Sequence, residues 1–462
     1  MILECQAHHV DCVAASPPRL PTRVINVRES ASQTICLYTP DKSGEFDEYV
    51  TLSYCWGGDQ PIVALKHNLD DLRDGIAVAT LPQTLQDAVR NTRDLGYHYL
   101  WVDALCIVQD DNDDITTEMA AMASTYGNST VTILASTSSS VYEGYLNSPR
   151  MQPSFFAVTV NLPNGESGRI CIGHPCQWAH FGWHLDPLSK RGWTFQEFLL
   201  AKRILFYGQY EVLFHCRNLG FTRLFPSYIR YPDDEQPSSR SLFQSQNKFE
   251  SWSELLRQYT FRALTFPEDR SRAITGIVTA LEKDWNDRCV FGAWVYRFID
   301  QMTWFNVAGF RFHPSLQRSN RAPSWSWLSI DGHVAMSCRS SLRPDCVITA
   351  NLFEVAKGSK LTLNCRVITE QKWPVLESNL FDVYMDIEKT DESGGKPRSY
   401  LYLGSESPLS PKDWYHAFAL IVVEESADVF RRIGLIDVHS RNAGILGNIE
   451  QGSQAIRHIT LI

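Results

Sequence analysis

At 462 residues the chain exceeds what a single hydrophobic core spans, since cores stop growing near ~250–300 residues, so two or three domains are expected. With 44% hydrophobic and 21% charged residues, including 13 Trp, 18 Tyr and 23 Phe, the composition is that of an aromatic-rich globular protein and excludes a disordered one. A formal net charge of −9 supplies no long-range attraction to phosphate backbones or anionic lipid, so neither nucleic acid nor membrane is expected as a partner.

The N-terminus MILECQAHHVDC has no charged segment leading into an apolar stretch, and the longest apolar run, AFALIVV from Ala417, is far too short for a bilayer. A soluble, cytoplasmic protein is expected. The 12 cysteines are scattered, several inside apolar runs such as LSYCW and DALCI, which suits reduced thiols. From Tyr49, YVTLSYCWGG reads as a strand closed by Gly57 and Gly58. LPQTLQDAVRNTRDLG then sets Leu85, Ala88, Val89 and Thr92 on one helical face and stops at Gly96. YLWVDALCI follows as a nearly continuous apolar strand, DDITTEMAAMASTYG as a second helix and TVTILAS as a third strand. Strand alternating with helix implies an α/β fold, a parallel sheet covered on both faces.

SGRICIG predicts a further strand, and RGWTFQEFLLAKRILFYG a short helix running into a strand, with EVLFHCR pairing behind it. YPDDEQPSSRS, at 231–241, has a linker's composition. Two helices are predicted over 246–285, and beyond RAPSWSWLSIDG the runs KLTLNCRV, FDVYMDIE, SYLYLG and FALIVVEE predict a mostly β region. The expected organisation is an N-terminal extension over 1–48, a first domain over 49–230, a helical segment over 242–315 and a mostly β region over 316–462.

Three phrases in this order, YVTLSYCWGG, YLWVDALCIVQDDNDDITTEMAAMASTYGNSTVTILAS and KRGWTFQEFLLAKRILFYG, resemble the heterokaryon incompatibility (HET) domain family of fungi, and the resemblance extends over about 49–332. It implies a role in programmed cell death when incompatible cells fuse. The family is held to be similar to Toll/interleukin-1 receptor domains, some of which cleave NAD, so the implied fold is a parallel sheet flanked by helices and the implied activity that of an NAD-hydrolysing enzyme. NAD would enter as substrate; no cofactor and no metal is expected.

In an open parallel sheet ligands sit beyond the carboxyl ends of the strands. Tyr54, Trp56, Gly57 and Asp59 follow the first strand there, and Asp103 and Gln109 lie near the end of the next. On a helical wheel Ile115, Met119, Met122 and Tyr126 form an apolar stripe, with Glu118 at its border, where a carboxylate leans over the strand ends. Cleavage of NAD releases neutral nicotinamide from a cationic N-glycosidic bond and so dispenses with a protonating acid. One ionised carboxylate holding the ribose and stabilising oxocarbenium charge suffices, with Trp56 stacking on a ring. Glu118 matches the helix-borne glutamate of the related receptor-type domains, and Asp103 is grouped with it as catalytic. The alternative for Glu118 is dipole stabilisation in a helix capped by Asp113 or Asp114.

Asp103, inside an apolar run, needs a partner, and Arg191 is the expected one, in an architectural or a site role. Gln196 and Glu197 open another helix and join Arg191 among the expected substrate-binding residues; Glu197 is the rival acid, with pairing to Arg191 or Arg203 as its structural alternative. Val108 stands where the family commonly carries Asn or Asp.

Cys171, His174, Cys176, His180 and His184 form one Cys/His group and Cys5, His8, His9 and Cys12 another, but neither has a finger's paired spacing. Cys106, near His98 in sequence, sits in apolar surroundings that predict a buried, inert thiol. Trp325 and Trp327 alternate like strand residues, predicting one ring packed inward. WGGDQ lacks the glycine spacing of a dinucleotide fold. The expected partner is a small nucleotide or metabolite, together with self-association or a signalling protein. Two other functions fit the same residues: a non-enzymatic death-signalling interaction module, and a tailoring enzyme of fungal small-molecule biosynthesis.

Overall fold

The computed structural model describes residues 1–13, 16–28, 33–41, 44–150, 155–161, 166–173, 186–209, 211–223, 247–307, 318–338, 342–369, 381–387, 392–406, 414–440 and 456–462. The predicted linker at 231–241 and the residues His174, Cys176, His180 and His184 lie outside the described residues, as does the side chain of Cys171. The chain divides into two compact units, Met1–Gln244 with Arg272–Ile277, and Ser245–Ser271 with Val278–Ile462. Among the described residues no helix is long and apolar enough to cross a membrane.

In the first unit, α1 (Ile2–His8) precedes β1 (Val24–Asn26), β2 (Thr34–Tyr38) and β3 (Tyr49–Ser53). Then come α2 (Leu69–Asp74), β4 (Ile76–Ala77), α3 (Gln83–Asp94), β5 (Tyr99–Trp101), α4 (Asp103–Cys106), α5 (Asn112–Asn128) and β6 (Val131–Leu134). The hairpin β7 (Phe155–Asn161) and β8 (Ser167–Gly173), α6 (Trp193–Leu200), β9 (Arg203–Tyr207), β10 (Val212–Cys216) and β11 (Gly220–Arg223) complete it. Nine strands form one sheet in the order β11-β10-β9-β6-β3-β5-β1-β2-β4. The predicted parallel core is present: β5, β3, β6 and β9 run parallel, flanked on both sides by antiparallel strands. Every residue of β3 and of β6 is buried, as expected for strands covered on both faces, and the buried Thr51 and Thr132 hydroxyls bond each other at 2.8 Å. The predicted strand SGRICIG is β8, but among the described residues it pairs only with β7 and stays off this sheet.

Two local expectations change. The apolar run YLWVDALCI stays extended only through Trp101, and Asp103 opens the one-turn helix α4, its own Oδ1 accepting the Ala104 N–H at 2.7 Å. An aspartate that satisfies a neighbouring amide favours such a turn over a ladder position. On α5 the buried residues are Glu118, Met122, Thr125 and Tyr126, while Ile115 and Met119 are half-buried, so Glu118 lies in the middle of the inward face and not at its border. The helix is rolled that way because the Tyr126 hydroxyl donates to Leu52 O at 3.1 Å and Arg23 reaches Asp114 at 2.7 Å.

In the second unit the two predicted helices are Lys248–Thr260 and Arg272–Trp285, the latter beginning in the first unit. The four predicted β runs are the strands Leu361–Thr369, Phe381–Met385, Arg398–Glu406 and Tyr415–Ser426. Arg398–Glu406, Tyr415–Ser426 and Val429–Ser440 form an antiparallel meander. Val429–Ser440 then pairs in parallel with Ile456–Leu461, which pairs with Leu361–Thr369, which pairs back with Arg398–Glu406. That ring of pairings closes the sheet on itself, removing most open edges. Alternate residues Leu361, Leu363 and Cys365 point inward, each with no exposed surface. Trp325 and Trp327 do not alternate on a strand: a short 3-10 turn spans Trp327–Ser329 and buries both rings, with the Trp327 indole donating to Gly292 O at 2.9 Å.

Candidate functional site

The chain runs from β3 to β5 on one side and then crosses back to β6 on the other, so the strand order reverses between β3 and β6. The carboxyl ends of these strands are where an α/β sheet offers its ligand crevice. β3 ends at Ser53, β6 at Leu134 and β5 at Trp101, and the chain that follows β3 and β5 supplies polar side chains to a cluster that Arg191 and α6 join.

Asp103 is held from several sides. The Trp56 indole N–H donates to its Oδ2 at 2.9 Å, and the Tyr54 hydroxyl and the Arg191 guanidinium also bear on it. Burial raises this carboxyl above the ordinary range, while Arg191, Trp56 and the Ala104 amide pull it down. Arg191 Nη1 donates to Tyr54 O, which fixes its head group beside the β3 loop. From α6, Glu197 reaches the last residue of β3, accepting a hydrogen bond from Ser53 Oγ, with the Tyr126 hydroxyl beside it. Glu197 is 6% exposed, and burial pushes its carboxyl up to about 7, against the charge of Arg191 and the Ser53 hydroxyl, with Asp103 adding to the rise. Two acids thus share one arginine at the strand-order reversal. A carboxyl poised near neutrality can take or give a proton at physiological pH.

Of the residues predicted for the site, the structure brings together Tyr54, Trp56, Asp103, Arg191 and Glu197. Arg191 acts on both acids, as the sequence led one to expect for Asp103, whereas Arg203 serves elsewhere, on Thr130 O and Cys12 O. Gln109 is beside them, but its side-chain amide is spent on Asp103 O and Ile107 O, at 3.2 and 3.0 Å, closing the α4 turn. Gln196 is buried one step round α6, where its oxygen lies 2.8 Å from the position a Cβ at Gly276 would take. Asp59 is exposed on the loop. Ser53 and Tyr126 escaped prediction as site residues because a serine in a strand run and a tyrosine in a helical stripe both read as packing.

Glu118 lies in a separate polar group. It is 2% exposed, its Oε1 is 3.6 Å from Arg23 Nη2, and Thr22 hydrogen-bonds to it; burial raises its carboxyl above the usual range. Arg23 also makes a short two-oxygen contact with Asp114 and donates to Cys106 O at 2.7 Å. Asp114 accepts the Val108 N–H at 2.8 Å as well, so neither it nor Asp113 caps α5; the cap is Asp111, which accepts the Asp113 N–H at 3.2 Å. Val108 itself is buried. Cys106 is fully buried and its thiol is pushed up to about 12 by desolvation, which leaves it inert.

The loops over the reversal point are fastened together. The Val141 N–H donates to Trp56 O at 3.2 Å, and Gly57, at φ +72°, packs directly on Ser140. A side chain on Gly57 would overlap Ser140 and come within 2.9 Å of Ser139 O, in a backbone region L-residues avoid. Gly57→Ala is therefore expected to lower stability by about 2 kcal/mol, read as a shifted urea midpoint at unchanged slope. A cavity of about 270 Å³ lies at the opposite, amino-terminal end of the strands, lined in part by Glu48, Thr130, Lys202 and Arg203.

Comparison with known proteins adds the following. Residues 49–197 match the family model described as heterokaryon incompatibility protein (HET). A curated relative, heterokaryon incompatibility protein 6, OR allele, from Neurospora crassa, is 29% identical over 128 residues, covering 25% of this chain and 18% of the relative. The similarity therefore spans less than a fifth of that protein. No solved structure matches.

Proposed function

Through residues 49–197 the chain belongs to the heterokaryon incompatibility family, and from that premise we propose that it acts in an incompatibility response by cleaving the N-glycosidic bond of NAD at the β3–β6 reversal. The observation that carries this reading is Glu197, poised at about 7 next to Asp103 and Arg191 at the carboxyl ends of parallel strands. We also propose a fold-level likeness to Toll/interleukin-1 receptor domains, supported by the four parallel strands in the order β9-β6-β3-β5. In this reading the deprotonated Glu197 stabilises oxocarbenium charge on the ribose, Asp103 and Arg191 hold it in register, nicotinamide leaves as a neutral molecule with the electron pair of the broken C–N bond, and water adds to the ribose carbon, giving its proton to Glu197. Glu118, on the buried face of α5, is the second candidate acid.

The burial of both acids favours a second reading, in which the same domain is a non-enzymatic signalling module. Glu118 and Glu197 are 2% and 6% exposed, and the loops above the reversal point are bonded to each other. The two readings separate in one assay: free nicotinamide released from NAD by the purified chain. Release lost by about 100-fold or more in Glu197→Gln and retained in Glu118→Gln supports cleavage at the reversal point. Loss through Glu118→Gln alone moves the site to the inward face of α5, beside Arg23. No release from the unmutated chain in any assembled state leaves the signalling module as the function.

A further inference from the structure

We propose that Cys5, His9, Cys12 and Cys216 form a zinc site that fastens the N-terminal segment to the end of β10. Their ligand atoms all lie within 4.8 Å of one another, and Cys216 Sγ is 3.4 Å from His9 Nδ1. In a tetrahedral zinc site, sulfur at ~2.3 Å and nitrogen at ~2.0–2.1 Å from the ion set the donors roughly 3.5–3.9 Å apart, so the group needs only a slight contraction to close on a cation.

The local fold explains how residues so far apart in sequence meet. Cys5 lies on α1, whose last turn is closed by His9 N–H to Cys5 O at 3.2 Å; after the extended His9 a separate turn, closed by Cys12 N–H to His9 O at 2.8 Å, brings Cys12 back to the other two. His8 points out to solvent. Cys216 closes β10, and the following turn brings the Leu219 N–H to 3.4 Å from its sulfur before the chain returns along β11. Cys5, Cys12 and Cys216 are buried, and all three are free thiols.

A buried cation faces this sulfur-rich group. Arg203, itself 3% exposed, donates from Nε to Cys5 Sγ at 3.2 Å and from Nη2 to Cys12 O at 2.6 Å. Three thiolates and a neutral imidazole around a dication leave one net negative charge, which the Arg203 guanidinium offsets from the outer shell. Sulfur-rich tetrahedral donors select zinc over calcium or magnesium, and four protein ligands leave no open position, so the role is structural. The sequence conceals the site because its fourth ligand is on β10, far along the chain from the first three, so no local spacing announces it.

The test uses the full chain, purified under reducing conditions, with zinc content measured by mass spectrometry and the chelator-stripped protein titrated with cobalt(II). About one zinc per chain is expected, with a thiolate-to-cobalt charge-transfer band and the intense visible bands of tetrahedral cobalt. Cys216→Ser and His9→Ala should each weaken cobalt binding by more than ~100-fold, beyond the 10–100-fold typical of outer-shell changes, while Cys36→Ser on β2 should bind as the native chain does. Cobalt uptake without the charge-transfer band, no uptake at all, or native binding by Cys216→Ser overturns the proposal. Should the ligand variants fail to fold, X-ray absorption at the zinc edge of the unmutated protein decides: three sulfurs and one nitrogen support the site, and any other ligand shell or a disulfide among these cysteines refutes it.

Discussion

Replacing Arg432 with alanine is expected to destabilise the β-rich unit by about 3–5 kcal/mol, the cost of leaving a buried ion-pair network without its central cation. Arg432 has no exposed surface, nor does its partner Asp386, whose Oδ1 lies 3.1 Å from Arg432 Nη2. The guanidinium also donates to Met302 O at 2.6 Å and to Trp304 O, and its centre lies 3.5 Å over the Trp304 ring. Truncation therefore strands two buried carbonyls, uncovers an aromatic face and leaves Asp386 to Arg318 alone, at 2.9 Å. Arg432→Met, which keeps most of the packing, separates lost volume from lost charge. If Asp386→Leu in that background recovers stability, the charge was the dominant cost, because a buried pair exchanged for apolar residues is often neutral. Urea midpoints of the four proteins decide; a shift below 1 kcal/mol for Arg432→Ala would show that water reaches the site.

What the sequence disclosed and concealed follows from the range of each interaction. The helix Gln83–Asp94 was legible because one side of it meets the sheet, and its buried residues Leu85, Ala88, Val89 and Thr92 carry the 3.6-residue period. The parallel core was legible from strand alternating with helix, as strands buried on both faces require. Apolar content misread β5, because Asp103 interrupts an apolar run by bonding to its own neighbour, and periodicity cannot register a one-turn helix. At the site, the involvement of Arg191 with Asp103 was legible, since a carboxylate among apolar residues demands a cation. The position of Glu118 was not. Its place on α5 is decided by Arg23, from a segment whose sequence carries no periodic signal, and a helical wheel assigns polar residues outward unless a distant partner is known.

Removing the Arg191 guanidinium by substitution with alanine is expected to cost roughly 3 kcal/mol at about pH 8 and much less at about pH 5. The sign follows from the two acids that Arg191 serves. Burial already holds Glu197 near 7, above its ordinary 4.5, and raises Asp103, while Arg191 opposes both shifts. An acid whose folded-state value is raised costs nothing below its ordinary carboxylate range. It subtracts stability as pH climbs through that range toward the shifted value. Without Arg191 both carboxyls climb further, so the deficit of Arg191→Ala against the native chain must widen with pH. Buried His215, held down at about 3, acts in the opposite direction, losing stability as pH falls below its ordinary value, but it is common to both proteins and cancels in the difference. Glu197→Gln in the Arg191→Ala background removes one of the stranded acids and should recover part of the loss at the alkaline end. Denaturant midpoints measured across this pH range provide the test, and a deficit that does not change with pH would mean that Arg191 stabilises through its bond to Tyr54 O alone. A deficit that widens would establish that the charge state of Glu197 is set by its neighbours close to neutrality, which is the property any acid–base or charge-stabilising chemistry at this end of the sheet requires.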